Sequence, residues 1–236
     1  MKAIAIDEYG PADLLTVREL PDPPVGPDVV LVQVRAAGVN PVDWKVREGY
    51  LAGAFPSHFP LVPGWDAAGV VAAVGPAVTG FAVGDEVVGY VRRDHIQYGT
   101  YAELVPAPER TLAAKPVQVS WAEAAGLPLA GLTAYQALQL GRAGAGDTVL
   151  VHGASGGVGH LAVQIARALG ADRSSAPPAR TTTTSSVPSV PSRSRTGTAC
   201  WTGCASSRRT GWTWRSTCSA ATPWTCRPSC SPGRPA

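Results

Sequence analysis

The stretch TVLVHGASGGVGHLAVQIARALG, residues 148–170, decides the fold. Thr148–Val151 is an apolar run without polar alternation, the pattern of a strand buried on both faces. Gly153-Ala154-Ser155-Gly156-Gly157-Val158-Gly159 follows, and glycines there let the backbone turn tightly and approach a ligand with no Cβ in the way. Val158, Leu161, Ala162, Ile165 and Leu169 then recur at helical spacing, and Gly170 is placed to end the helix. A strand, a glycine turn and a helix make half of a βαβ unit. A helix N-terminus at Gly157 presents free N–H groups and a partial positive charge, which suit a diphosphate. The returning strand is expected to begin near Arg173.

Upstream, residues 1–115 are rich in strand and turn signals. Asp28–Val34, Ala67–Val74 and Glu86–Val91 are β-branched and apolar, and Gly26-Pro27, Pro63-Gly64, Gly75-Pro76 and Gly84-Asp85 punctuate them. Short strands at this spacing predict a small, partly open β-barrel. Ser120 followed by Glu123 predicts a capping box at a helix start. Leu127, Ala130, Leu132, Ala134 and Leu138 supply apolar helical faces beyond it, with Gly131 expected to separate two helices.

Downstream, the composition breaks. From Arg173 to Ala236 there is no Asp, Glu, Lys, Leu, Ile, Phe, Tyr, Met, His, Asn or Gln, and Val187 and Val190 are the only large aliphatic residues. Nine arginines and no acid give this tail a formal charge of +9, so residues 1–172 carry −6 of the chain's +3. Such a segment lacks the apolar content of a packed core and predicts disorder. All five cysteines lie in it, an odd number that argues against a disulfide framework. The opening MKAIAIDEYG has no apolar targeting core, and no run of about 18 apolar residues occurs, so a cytoplasmic protein with no membrane partner is expected. The expected divisions are residues 1–120, 121–172 and 173–236.

AAGVNPVDWKVREG (36–49), PLVPGWDAAGVVAAVGPAVTGFAVGDEVVG (60–89), GTYAELVPAPERTLAAKP (99–116) and the stretch from Ala122 to Ala171 together resemble the medium-chain dehydrogenase/reductase superfamily, in its zinc-free quinone oxidoreductase branch. The resemblance covers residues 1–171 and nothing beyond. It implies an α/β-plus-β protein: a GroES-like barrel followed by a Rossmann, doubly wound parallel-sheet domain, here incomplete, with the active site in the cleft between them. It implies NADPH as cofactor and a quinone or activated enone as substrate. Gly153, Ser155, Gly156, Gly157, Val158 and Gly159 would hold the diphosphate, Asn40 would lie near the nicotinamide, and Thr133 on the ribose or phosphate side. Asn40 and Tyr50 are the catalytic candidates, Tyr50 as donor to a substrate carbonyl or, equally, as an aromatic plug at the surface. Asp43 and Trp44 are expected to pack or cap the loop. His95, His152 and His160 are expected in ordinary surface or structural roles. Arg92 and Arg93 either attract a cofactor phosphate or form a solvated pair.

In the zinc alcohol dehydrogenases that resemble this chain, a Cys follows the Gly-Val of the first motif and a His follows the Gly of the second. Asn40 and Trp65 stand there, and no cysteine precedes Cys200. Thiolates are the ligands such zinc sites need, so no metal is expected in the head. The superfamily is commonly dimeric through the far Rossmann edge; the parent is expected to be a homodimer.

The tail reads as a Rossmann half translated in the wrong frame. If the original frame took the last base of each present codon with the first two of the next, then Trp, Cys and most Ser codons conceal apolar residues, and Thr codons polar ones. Thr210–Thr225 then becomes an alternating strand running into a glycine turn. Ser174–Val190 becomes a strand ending in small and hydroxyl residues and a following helix. An acid at that strand end ordinarily grips the ribose of NAD, so its absence favours NADPH in the parent. Loss of one base, or gain of two, near Asp172 suffices. Two other readings stand beside the reductase: a truncated, non-catalytic fragment that at most binds nucleotide weakly, and a basic tail serving an anionic partner. Specific nucleic-acid binding is not expected, because a shifted frame accounts for the Arg, Trp and Cys richness.

Overall fold

The computed structural model describes residues 1–175 and 203–206. The chain divides into two compact units, Met1–Leu129 and Ala130–Ala236, so the division falls beyond the Ser120 capping box.

In the first unit, β1 (Lys2–Ala5) and β2 (Thr16–Glu19) form an antiparallel pair. A five-stranded antiparallel sheet follows, built from β3 (Val29–Gly38), β4 (Asp66–Val74), β5 (Glu86–Tyr90), β6 (Leu104–Pro108) and β7 (Leu112–Ala114), in the order β6-β3-β4-β5-β7. β6 and β7 are its two edges; no ladder joins them. Helix α1 (Pro41–Arg47) fills the connection from β3 to β4, and α2 (Trp121–Ala125) follows β7.

Alternation along the strands builds the core. Val30, Val32, Ala67, Val71, Val87, Val105 and Ala107 point to one face and are buried together with Val91. The register shifts between Leu31 and Val32 and between Val34 and Ala36, irregularities that bend β3. The opposite face, at Ala36, Gly38 and Ala68, is made of small residues. They let α2 seat Ala124 and Ala125 against the sheet. A Cβ on Gly38 would lie 2.5 Å from the Ala125 carbonyl oxygen. α2 starts as its sequence predicts: Ser120 Oγ accepts from the Glu123 N–H, and the Glu123 carboxylate accepts from the Ser120 N–H at 2.8 Å.

The second unit continues α3 (Pro128–Leu140), then β8 (Thr148–Val151), α4 (Gly157–Ala168), β9 (Arg173–Ser175) and β10 (Gly203–Ser206). The helix break lies at Gly126 and Leu127, not at Gly131. Gly126 ends α2 by donating back to the Ala122 carbonyl at 3.2 Å, and Pro128 opens α3, where its missing N–H costs nothing. Gly131 sits inside α3, 4.0 Å from Leu161 at its would-be Cβ. Ala130, Ala134 and Leu138 are buried as expected, while Leu132 is on the outer face.

β8 carries the core of this unit. Val149 and Val151 are buried against α4, and Leu150 and Thr148 are not, so the strand is packed on one face rather than two. The face of α4 turned to it has small residues at its centre, Gly159, Ala162 and Ala166, flanked by Val158, Leu161, Ile165 and Leu169. α4 ends where the sequence places its stop. Gly170 takes φ +88°, donates to Arg167, and is followed by an Ala171 N–H donating to Ala166, the paired bonds of a Schellman motif.

β9 pairs parallel with β8 from Arg173, the expected return of the βαβ unit. β10 pairs antiparallel on the other side. These two strands stand against the expectation of disorder at 173–175 and 203–206. A backbone ladder needs only N–H and C=O groups, which any non-proline composition supplies. The rest of the expected disorder, at 176–202 and 207–236, lies outside the described residues. Trimming Val71→Ala in the main core should lower stability by about 2 kcal/mol, read as a lower urea midpoint at unchanged slope.

Candidate active site

The predicted site residues fall into two groups, one in each unit. In the second unit, Gly153, Ser155, Gly156, Gly157, Val158 and Gly159 form one continuous turn from β8 into α4. Gly153 takes φ +67°, a conformation open chiefly to glycine. The Gly156 N–H closes the turn on the Gly153 carbonyl at 2.9 Å. Gly159 lies so close to that carbonyl that a Cβ would sit 2.2 Å from it. Its role is therefore helix–turn contact. Gly157 is different: its would-be Cβ meets nothing within 4 Å. Gly156, at the cap of α4, supplies no side-chain hydrogen bond to its first turn. His160 Nδ1 lies 3.0 Å from the Gly156 carbonyl oxygen, a local structural role. Thr133 is on α3 with an exposed side chain.

In the first unit the centre is Asn40, half-buried at the N-terminus of α1 with Pro41 at the first helical position. Two buried carboxylates hold it. Asp43 Oδ2 accepts from the Asn40 backbone N–H at 2.7 Å and from the Tyr101 hydroxyl at 2.8 Å. Asp66 Oδ2 accepts from Asn40 Nδ2 at 2.9 Å, and both Asp66 oxygens lie 3.1 Å from the Leu129 N–H. Asp43 thus caps the loop as expected. Its Oδ1 is buried without a hydrogen-bond partner.

Burial dominates the titration of both acids. It raises Asp43 above the usual carboxylate range despite the bonds from Asn40 and Tyr101. It pushes Asp66 up to about 6, against the bonds from Asn40 and Leu129, with the nearby Asp43 adding to the rise. Tyr101 is raised as well, first by burial and then by the charge of Asp43.

Tyr50 does not join this network. It is 68% exposed and meets Trp44 edge to face at 5.6 Å, with Lys45 Nζ 5.7 Å from the Trp44 ring centroid. Trp65 is the buried one. It packs with Ile6, Val46, Leu51, Leu61 and Ile96, edge to face with Phe55 and Tyr90. Arg92 lays its guanidinium 4.8 Å from the Phe55 ring centroid and is half-buried, so Arg92 and Arg93 are not a simple solvated pair. His95 meets His58 edge to face at 5.7 Å, and burial, then Arg93 and His58, lower its pKa. Asp66 and Tyr101 escaped the sequence reading. The available signal was a carboxylate opening an otherwise apolar strand, DAAGVVAAV, a place where a charge stays only if something bonds it.

The alcohol dehydrogenase GroES-like domain profile matches residues 26–117. A chloroplastic quinone-oxidoreductase homolog of Spinacia oleracea is 42% identical over 174 residues, spanning 71% of this chain and 52% of the relative. The chain is similar to members of the quinone oxidoreductase-like branch of the medium-chain dehydrogenase/reductase superfamily. A second member, the chloroplastic NADPH-dependent alkenal/one oxidoreductase of Arabidopsis thaliana, is 42% identical over 172 residues, 71% of this chain and 44% of the relative. A mycobacterial member solved in complex with NADPH superimposes with a TM-score of 0.64 at 35% identity, covering 77% of this chain and 54% of the other. The chain spans about half the length of these curated relatives. Among the described residues, no helix is long and apolar enough to cross a membrane.

The raised pKa of Asp66 fixes a sign. A carboxyl that holds its proton more tightly when folded stabilises the fold at low pH, and that contribution is lost as pH rises through its folded pKa. Asp66 is 1% exposed, and a rise of its size corresponds to about 3 kcal/mol. Wild-type stability should fall relative to Asp66→Asn as pH goes from about 4 to 6, measured by denaturant unfolding at each pH.

Proposed function

We propose that the parent enzyme is an NADPH-dependent, zinc-independent reductase of quinones or activated enones. When bound, NADPH supplies the hydride. The chain's own residues bind and orient. The turn Gly153–Gly159 receives the diphosphate: a Cβ at Gly157 would meet open space, and the first-turn N–H groups of α4, given no side-chain cap by Gly156, meet negative charge. Thr133 is proposed on the ribose or phosphate side, and Asn40 beside the nicotinamide. Tyr50, exposed and phenolic, is proposed as hydrogen-bond donor to the substrate carbonyl. Two relatives favour NADPH over NADH: the Arabidopsis relative is named for it and the mycobacterial structure is a complex with it. Zinc independence rests on Asn40 and Trp65, neither of which offers a thiolate or imidazole; Trp65 is spent on packing.

The observation that carries this reading is the glycine turn between β8 and α4, open at Gly157 and closely packed at Gly159. Gly157→Asp separates the two. An acid in the first turn of a helix is stabilising or neutral, and its Cβ has open space. The variant should therefore keep its thermal midpoint while NADPH affinity, followed by quenching of coenzyme fluorescence, drops at least about tenfold. Unchanged affinity would reduce the turn to a structural one.

A second reading has its own observation. β10 runs antiparallel to β8, whereas a doubly wound dinucleotide sheet is parallel there. This chain is then a fragment that binds coenzyme weakly and does not turn over. NADPH oxidation with a simple quinone decides between them: sustained turnover by this chain excludes the fragment, and binding without turnover supports it.

A further inference from the structure

We propose that Asp66 is the positioning residue of the site, fixing the orientation of the Asn40 side-chain amide by accepting its Nδ2–H.

Asn40 has two kinds of donor, and each is taken by a different buried carboxylate. Its backbone N–H goes to Asp43, three residues on, which is the local requirement of the α1 start. Its side-chain Nδ2 donates to Asp66, 26 residues away on β4. A helix cap alone needs only the first of these. The second costs a carboxylate desolvated to 1% exposure, a cost that a merely structural asparagine does not require. Asp66 is in turn held still. The Leu129 N–H donates to both its oxygens, and a buried carboxylate with fixed donors is a rigid acceptor. An ionised carboxylate has no proton to give. It admits only the amide rotamer with Nδ2 inward, and the flipped one would set oxygen against oxygen. The groups that face Asp66 are Asp43 from α1, Tyr90 across the β4–β5 pair and Tyr101 ahead of β6. None is a cation, so hydrogen bonds rather than a salt bridge define the arrangement.

The use of this orientation rests on the reading that Asn40 addresses the nicotinamide; the hydrogen bond itself does not. The test keeps the two apart. Asn40 is the only asparagine in the chain. Asparagine-selective 15N labelling of the full chain therefore yields one backbone amide and one NH2 pair. In wild type the NH2 pair should move with pH as Asp66 titrates. In Asp66→Asn that movement should vanish, while the backbone signal keeps its titration from Asp43. A wild-type NH2 pair that stays at free-amide positions across the pH range overturns the proposal, without any variant having to fold. In the second arm, NADPH dissociation constants are measured for Asn40→Ala, Asp66→Asn and the double variant. Each single change should weaken binding by about tenfold, and the double should be no weaker than Asn40→Ala. Additive losses would mean Asp66 does not act through Asn40, which also overturns it. Absence of NADPH binding by wild type would sink the coenzyme reading and leave the amide titration to judge Asp66.

Discussion

A carboxylate removed from water is tolerable only where donors replace the water, and Asp66 at the start of β4 shows what such a group organises. Its two oxygens gather the Asn40 amide from the end of β3 and the Leu129 N–H from the first turn of α3. Both donors come from parts of the chain that the strand order alone would leave free. The neighbouring small residues are part of the same constraint. A Cβ on Gly38 would lie 2.9 Å from the Asp66 Cβ, so the close approach of β3, β4 and α2 depends on what is missing there as much as on what is present.

The two units use opposite solutions to the same problem of positioning polar groups. The first buries its acids and binds them from several elements, which gives rigidity and raises their pKa values. The second opens α4 at glycine, which supplies no side-chain cap to the backbone N–H groups there. One is a site of fixed side chains, the other a site of exposed main chain.

Much of this was legible from the sequence. β8, the Gly170 stop and the Ser120 capping box follow from local periodicity and turn chemistry, which depend on residues within a few positions of one another. Asn40 and the glycine turn were legible because motif spacing carried them. Asp66 and Tyr101 were not, because their meaning lies in partners 26 and 58 residues away, and no local rule announces a long-range hydrogen bond. Gly131 misled for the converse reason. Glycine weakens a helix, yet the Gly126–Pro128 junction supplied a stronger break a few residues earlier. The tail misled in part as well: its composition forecasts no core, but says little about whether short backbone ladders such as β9 and β10 form.

Trp65 has a consequence for how this fold can change. By the resemblance read from the sequence it stands at the place of a histidine in the zinc alcohol dehydrogenases, and its indole packs among Ile6, Leu61 and Ile96 with Phe55 and Tyr90 edge to face. Replacing it with imidazole would open a void in an apolar cluster before any ligand set existed to reward the change. Volume, more than ligand chemistry, therefore makes the exchange an evolutionary one-way door: several neighbours would have to grow in concert before a metal could gain a foothold.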